Sequence, residues 1–520
     1  MPRRIRFSAI CCLILAACQP TISTSNNPAP SNAGNDIEAS SESHAELFAD
    51  IEALVEAKMD EEKLPGVAVI LVKEGQTIFS RGYGYADYFE QTPVSPDDSV
   101  FRIGSITKPL TALGIMKLVE QERLSLNDDI GQYLGDIEIS VVPGVSGDPI
   151  KIWNLLTHTS GFDQIGVNRF DPDLLKDFDE RRAERPSLQA YLADNNLRQT
   201  VPAGSHYRYD TYGITLAGHI LEQITGKPYD DAMDELVFEP AGMSTTSVGL
   251  DPDNRTGLVR PHGLVEGEFA YGPYELYYTQ PASSIEATPS DMGRLLEALT
   301  GGGITSEGNR LFSAETVEDI LSVHYRPHPD FSGMTHGFVD EGGYATANGA
   351  FPREVGHGGT TYGFRTSLTI FPEKNVALFV AVNRNFETGG DRVMLNGDVF
   401  RLVRAAFFDV PEEPRFEVPA HNPDDSVSEY IGNYFYDVFC STCSPTEIES
   451  GAWQQGSPVK VSVEAGALII SGKRYVRQAG DLFVSDDGTR RVFFRRDLDQ
   501  QVLSFSWNSS PDAFARYGRE

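Results

Sequence analysis

Apolar residues at Leu47, Ile51, Leu54 and Val55 recur at steps of three and four, the spacing of one buried helix face, and the pattern stops before Lys63-Leu64-Pro65-Gly66. Val67 to Val72 and Thr77 to Tyr83 are β-rich runs separated by Lys73-Glu74-Gly75-Gln76, which predicts a hairpin. A second hairpin is predicted far downstream, where Thr366 to Phe371 and Val376 to Asn383 flank Pro372-Glu373-Lys374-Asn375. Between the two, Leu110 to Gln121 and Leu216 to Thr225 carry helical patterns set among long Pro- and Gly-containing connections. The expected fold class is therefore α/β, with one antiparallel sheet begun early and completed late, flanked by helices and holding an all-helical insertion. No short βαβ alternation recurs, and no G-x-G-x-x-G opens a helix after a strand, which argues against a dinucleotide-binding fold.

The two ends of the chain read differently from its middle. Residues 411–423 (PEEPRFEVPAHNP) form a linker rich in proline and acid. Beyond it, Val459 to Val463, Leu468 to Ile470, Leu482 to Val484, Val492 to Arg495 and Val502 to Trp507 are short strand-like runs that predict a small all-β barrel or sandwich over 424–520. At the other end, Arg3, Arg4 and Arg6 precede the apolar stretch Phe7 to Ala17, too short to span a bilayer but suited to the core of a signal peptide. The stretch closes with Leu15-Ala16-Ala17-Cys18, which resembles a bacterial lipoprotein signal and implies export, cleavage and lipidation of Cys18. Gln19 resembles the outer-membrane sorting preference of Gram-negative cells, which implies an anchored protein of the bacterial envelope facing the periplasm. Ser, Asn, Pro and Ala then dominate up to residue 43 with almost nothing to bury. The expected organisation is a signal peptide over 1–17, an unstructured tether over 18–43, the α/β domain over 44–410, the linker, and the β-domain.

Composition narrows the partners. Of 520 residues, 40% are hydrophobic and 23% charged, which excludes wholesale disorder and collagen-like or coiled-coil architectures. The net charge of −32 repels phosphate backbones and anionic lipid heads, so no nucleic acid partner is expected, and membrane contact is expected through the lipid anchor only. Three of the five cysteines, Cys11, Cys12 and Cys18, fall in the leader, leaving Cys440 and Cys443 for the folded body. That Cys-x-x-Cys reads as a zinc half-site, a redox pair or a local disulfide, and export favours the disulfide. His324 and His328 stand four apart, but Pro327 breaks any helix that would align them, so no metal site is expected there.

The chemistry concentrates around Phe101-Arg102-Ile103-Gly104-Ser105-Ile106-Thr107-Lys108-Pro109, which leads into the helix carrying Leu110, Leu113 and Met116. A spacing of three puts the Ser105 and Lys108 side chains on one face of the first turn. A serine hydroxyl becomes a nucleophile once a base takes its proton, and a lysine serves as that base when burial disfavours its charged form. Ser-x-x-Lys alone recurs by chance, and its setting is what gives it weight.

From about Pro65 to Asn383 the chain resembles the serine β-lactamase and penicillin-binding protein superfamily, in its class C, DD-peptidase and esterase-like branch. The resemblance rests on PGVAVILVKEGQTIFSRGYGYAD, FRIGSITKPLTALGIMKLVEQERLSLNDDI, IKIWNLLTHTSGF and GKPYDDAMDELVFEPAGM. It implies a β-lactamase/transpeptidase-like fold with Ser105 as the acylated nucleophile and Lys108 as its proton acceptor. The family's Tyr-x-Asn motif takes the form Tyr209-Asp210-Thr211, which implies a proton-relaying Tyr209 and puts Thr211 where a substrate- and lysine-holding amide belongs. Taken by itself, Tyr209 reads equally as a packing aromatic.

The family's third motif takes its His-x-Gly form in Gly356-His357-Gly358-Gly359-Thr360. The resemblance implies that the NH groups of Ser105 and Thr360 form an oxyanion hole, that His357 assists electrostatically near Tyr209, and that Gly358 and Gly359 admit substrate backbone. Taken alone, this glycine cluster reads as a turn, and the strand predicted just after it favours strand instead. His158, in Leu155-Leu156-Thr157-His158-Thr159, is expected to be a hydrogen-bonded structural histidine. Glu429-Tyr430-Ile431-Gly432-Asn433-Tyr434 looks like the opening of the lipocalin-like β-domain found on several relatives, placed either at the active-site rim or over a sheet edge. The expected function is hydrolysis of small esters or D-amino-acid-containing peptides without a cofactor or metal. A true β-lactamase and an impaired cell-wall-peptide binding protein are the alternatives, the latter suggested by Thr211.

Overall fold

The computed structural model describes residues 33–142, 145–162, 186–195, 197–249, 257–272, 274, 277–343, 345–387, 393–409, 415–423, 425–436, 458–496, 500–508 and 513–517. The lipidation candidate Cys18 and the disulfide candidates Cys440 and Cys443 lie outside them. Among the described residues no helix is long and apolar enough to cross a membrane.

Two compact units divide the chain, Met1–Leu47 and Phe48–Glu520. What is described of the first is the opening of helix α1 (Ala33–Glu61), so helical backbone starts inside the stretch expected to be an unstructured tether. The reason is cooperative: once the apolar turns that follow have nucleated the helix, each further Ala, Glu or Ser residue extends it at little cost.

The second unit is built on an eight-stranded sheet. Its strands are β1 (Gly66–Lys73), β2 (Gln76–Asp87), β3 (Thr92–Pro93), β6 (Gly333–Met334), β7 (Val339–Gly342), β8 (Arg353–Thr361), β9 (Phe364–Phe371) and β10 (Val376–Val382). Two short strands, β4 (Phe101–Arg102) and β5 (Ile285–Ala287), pair with each other in a smaller sheet. The large sheet runs β6-β7-β8-β9-β10-β1-β2-β3, and every neighbouring pair is antiparallel. Both expected hairpins form, as β1-β2 and β9-β10, and the early and late halves join where Val67 faces Val382 and Lys73 faces Val376.

Because side chains alternate across a strand, Ala68, Ile70 and Val72 enter the main core while Val67, Val69 and Leu71 are buried on the opposite face. Helix α5 (Pro289–Thr300) covers the first face, and Gly293 lets it approach so closely that a Cβ there would stand 3.2 Å from Ile70 Cγ2. On the other face Phe48 of α1 meets Phe79, and Phe400 of α7 (Leu395–Phe407) stacks on Phe371. Between β4 and α5 the chain inserts helices, chief among them α2 (Thr107–Glu120) and α3 (Thr211–Thr225), with α4 (Gln280–Ser283) just before β5.

The C-terminal strands close into an antiparallel eight-stranded barrel, from Gly432–Tyr436 to Ala513–Tyr517, which pair with each other. Each strand pairs with its sequence neighbours, the up-and-down order of a lipocalin-like barrel. Tyr430, Tyr434, Phe483, Phe494 and Phe505 pack together inside it, as expected of a barrel this narrow. Two arginines of the barrel reach the α/β domain. Arg491 reaches Asp330, next to edge strand β6, with contacts of 3.1 Å to Oδ2 and 2.9 Å to the carbonyl. Arg495 donates to Ser205 O at 3.2 Å and to Tyr325 Oη at 2.7 Å, and that hydroxyl accepts the NH of Tyr207 at 3.2 Å.

Candidate active site

Ser105 sits on a 3-10 turn, Gly104–Ile106, immediately before α2, rather than on the α-helix itself. The relation to Lys108 survives because 3-10 geometry also brings residues three apart into line. Several ties fix the turn. Ile103 N donates to Ile285 O at 3.2 Å, Ile285 N donates to Thr107 Oγ1 at 3.0 Å, and Thr366 Oγ1 donates to Ile103 O at 2.9 Å. Beneath them Arg102 and Glu286 form a buried ion pair across β4 and β5 at 3.4 Å. Gly104 has φ +56°, the left-handed region, and its missing side chain lets β8 approach, since a Cβ would stand 2.9 Å from Thr360 N.

Lys108 is 1% exposed. Its Nζ stands 3.2 Å from Ser105 Oγ, 3.0 Å from Ala282 O and 4.6 Å from the centre of the Tyr209 ring. Among the described residues no carboxylate forms an ion pair with it. Ala282 is the partner that sequence reasoning missed, because a main-chain carbonyl carries no residue signature. It is positioned from α2 itself, where Thr111 Oγ1 lies 2.6 Å from Pro281 O and 2.6 Å from Tyr229 Oη. Gly218 makes room for this loop, as a Cβ there would lie 2.2 Å from Pro281 Cγ.

Tyr209 is brought to the same place, its ring 4.9 Å from His158 and 6.1 Å from His357. The residue that holds it is Asp210, passed over in the sequence although an Asp before an apolar helix pattern is an N-cap signal. Asp210 caps α3 by accepting Gly213 N at 2.8 Å, and it accepts Ser160 Oγ at 2.5 Å. Burial pushes its carboxyl up to about 6. The Asp210 NH donates to His158 Nδ1 at 3.0 Å and Arg208 N donates to His158 O at 2.8 Å, so His158 is a hydrogen-bonded support, as expected. Thr211 is buried at the start of α3, and its carbonyl accepts Thr215 Oγ1 at 2.8 Å. The carbonyl of Ala282 holds Lys108 in a chain that has no amide at position 211.

The Gly356–Thr360 segment is strand, not turn, and lies within β8. Its pairing with β7 ends at Gly356, while its pairing with β9 continues to Thr361. Gly359 turns inward, where a Cβ would stand 2.0 Å from Ile103 O and 2.2 Å from Thr366 Oγ1, whereas at Gly358 the nearest atom would be 4.0 Å away. The two glycines therefore differ: Gly359 docks the strand on the Ser105 turn, and Gly358 is open.

His357 is 9% exposed, and its Nδ1 donates to Gly358 O at 2.7 Å, which leaves a lone pair on Nε2. Burial first, and then the charge of Lys108, lower its pKa from 6.5 to about 4. The ring is thus neutral at physiological pH. The sign follows. Between those values the unfolded chain binds a proton that the folded protein refuses, so stability present above pH 6.5 is lost as the pH falls toward 4. His357→Gln is expected to lose about 3 kcal/mol less than the parent between pH 7 and pH 4. Denaturant unfolding at the two pH values measures the difference, and equal losses would refute the assignment.

A turn presenting Ser105, a buried lysine in contact with it, a tyrosine and a His-x-Gly strand thus meet on a β-lactamase/transpeptidase-like fold. The Beta-lactamase family model matches residues 51–397, and the chain belongs to that family. Esterase EstB of Burkholderia gladioli is 30% identical over 316 residues, 53% of this chain and 74% of the esterase. The D-alanyl-D-alanine-carboxypeptidase/endopeptidase AmpH of Escherichia coli K12 is 27% identical over 333 residues, 62% of this chain and 80% of AmpH. The solved octameric penicillin-binding protein homologue from Pyrococcus abyssi shares the fold with a TM-score of 0.54 at 19% identity, over 90% of this chain and 99% of its own.

Proposed function

We propose that this protein hydrolyses small esters or peptides containing D-amino acids through an acyl-enzyme on Ser105. The observation that carries the reading is the 3.2 Å approach of Lys108 Nζ to Ser105 Oγ on a buried, braced turn. Ser105 Oγ attacks the substrate carbonyl carbon as its proton passes to Lys108 Nζ, and the resulting oxyanion is met by the NH groups of Ser105 and Thr360. The bond to the leaving alcohol or amine then breaks, and Lys108, with Tyr209 as relay, returns the proton to it. Water attacks the Ser105 ester in the same way and gives its proton to Lys108, which passes it to Ser105 Oγ as the acyl–oxygen bond breaks and the acid leaves.

The edge of β8 beyond Gly356, which β7 does not cover, supports a substrate lying along Gly358 with its carbonyl at Thr360. A neutral His357 in place of the lysine of lactamases supports ester or D-peptide substrates over β-lactams, and it agrees with what the names of EstB and AmpH state of those proteins. The leader ending at Cys18 supports export and a lipid anchor at the outer membrane, facing the periplasm.

The test is active-site labelling. A fluorophosphonate probe is expected to add once, on the peptide containing Ser105, and to abolish hydrolysis of p-nitrophenyl butyrate and of D-alanine p-nitroanilide in proportion to labelling. Hydrolysis that persists in fully Ser105-labelled protein would overturn the proposal, and so would the absence of turnover on any ester or D-peptide.

A further inference from the structure

Outside this cluster, three side chains of ligand type converge: Asp319 in the last turn of α6 (Ala314–Leu321), His324 just beyond it, and His336 in the loop between β6 and β7. Their donor atoms all lie within 4.8 Å of one another. His336 is the informative member. It is 1% exposed, yet neither ring nitrogen has a hydrogen-bond partner among the described residues, whereas buried polar atoms are normally paired. Its Nε2 stands 3.8 Å from Asp319 Oδ2, too far for a hydrogen bond but a separation that an ion with bonds of about 2.0–2.2 Å bridges. His324 Nε2 stands 3.6 Å from Asp319 Oδ1 and 2.9 Å from Asp319 O.

Asp319 supplies a second, independent observation. A carboxylate in a helix's last turn meets the negative end of the dipole, and α6 has no basic residue there to offset it. We propose that Asp319, His324 and His336 form a binding site for one divalent transition metal ion, with zinc the best match to two imidazoles and a carboxylate. The side chains of Asp319 and His324 are 45% and 25% exposed, which provides an entry path and a fourth position for water.

One movement is required. The two imidazoles lie stacked, 3.6 Å between centres at 18°, and lone pairs in nearly parallel planes do not meet at one point. His324, at the surface, turns out of the stack and exchanges its bond to Asp319 O for the ion. His328, four residues on, takes no part, as it packs 5.3 Å from Phe331 and 4.8 Å from Phe493. The ion would brace the back of the nucleophile helix. Gly337, beside His336, donates to Leu156 O at 3.0 Å, and a Cβ on it would stand 2.6 Å from Ala112 Cβ and 3.0 Å from Pro109 Cα.

The experiment titrates zinc sulfate into chelator-dialysed protein carrying no affinity tag, by calorimetry and by thermal melting. One ion is expected to bind and to raise the melting temperature, and Asp319→Asn and His324→Gln are each expected to weaken binding by at least about tenfold. Both replacements are at the surface, so they report on binding where the buried His336→Gln could fail to fold. The proposal is overturned by the absence of stoichiometric binding, or by an affinity unchanged in both surface variants, which would place the ion elsewhere, as at Cys440 and Cys443.

Discussion

Ser105→Ala and Lys108→Met are each expected to lower kcat/KM on the preferred ester or D-peptide by about 10⁴-fold or more, and the double variant to be little worse than either. The reason is that the two side chains act as one unit. At 3.2 Å, Lys108 Nζ is the basic group seen in contact with Ser105 Oγ, so a serine without it has no acceptor for its proton and a lysine without the serine has nothing to activate. Methionine keeps the length and apolar body of the lysine and leaves Ala282 O without its donor, at a cost of about 1 kcal/mol. The loss should therefore appear in kcat with KM nearly unchanged, because neither group is used to bind the ground state. Steady-state kinetics and melting curves on the three variants check this. Activity above one tenth of the parent in Ser105→Ala would remove Ser105 from the chemistry.

The second large effect concerns the strand rather than the nucleophile. Gly359→Ala places a Cβ 2.0 Å from Ile103 O and 2.2 Å from Thr366 Oγ1. Main chain cannot yield as a side chain does, so β8 must move away from the Ser105 turn. A destabilisation of about 3 kcal/mol is expected, together with loss of hydrolysis as Thr360 N leaves its place beside Gly104. Gly358→Ala is the control one residue away. With its nearest neighbour 4.0 Å distant, it should leave stability within about 0.5 kcal/mol of the parent and lower kcat/KM only through contact with substrate. Denaturant unfolding with ester kinetics separates the two, and equal behaviour of the two glycines would contradict the geometry.

Much of this architecture was legible in residue order. Strands β1, β2, β9 and β10 carry dense β-branched runs bounded by turn residues, and helices α2 and α3 carry apolar periodicity, so their local patterns agree with the final fold. Barrel strand Lys473–Ala479 was not seen, because Lys473, Arg474 and Arg477 interrupt its alternation while Tyr475 and Val476 are buried. Strand Ala513–Tyr517 was also missed, and it closes the barrel by pairing with Gly432–Tyr436, a contact that no local pattern encodes. The glycine cluster of β8 reads as a turn until its neighbours are known. Gly359 is strand through its pairing with Thr366 of β9, and glycine because Ile103 O and Thr366 Oγ1 leave room for nothing larger.

By itself the sequence determined the antiparallel α/β class and the local placement of the candidate residues, since these follow from spacing along one chain: Ser105 three before Lys108, Tyr209 before the α3 cap, His357 before the glycines. Tertiary structure alone decided who holds Lys108, which glycine docks and which stays open, that His357 is neutral, and that His324 meets His336 rather than His328. The division has one physical reason. Periodicity and capping act within a turn or two of chain, whereas burial, main-chain carbonyl partners and the proximity of another charge depend on segments far apart in sequence, 174 residues for Lys108 and Ala282 and 263 for Thr366 and Ile103.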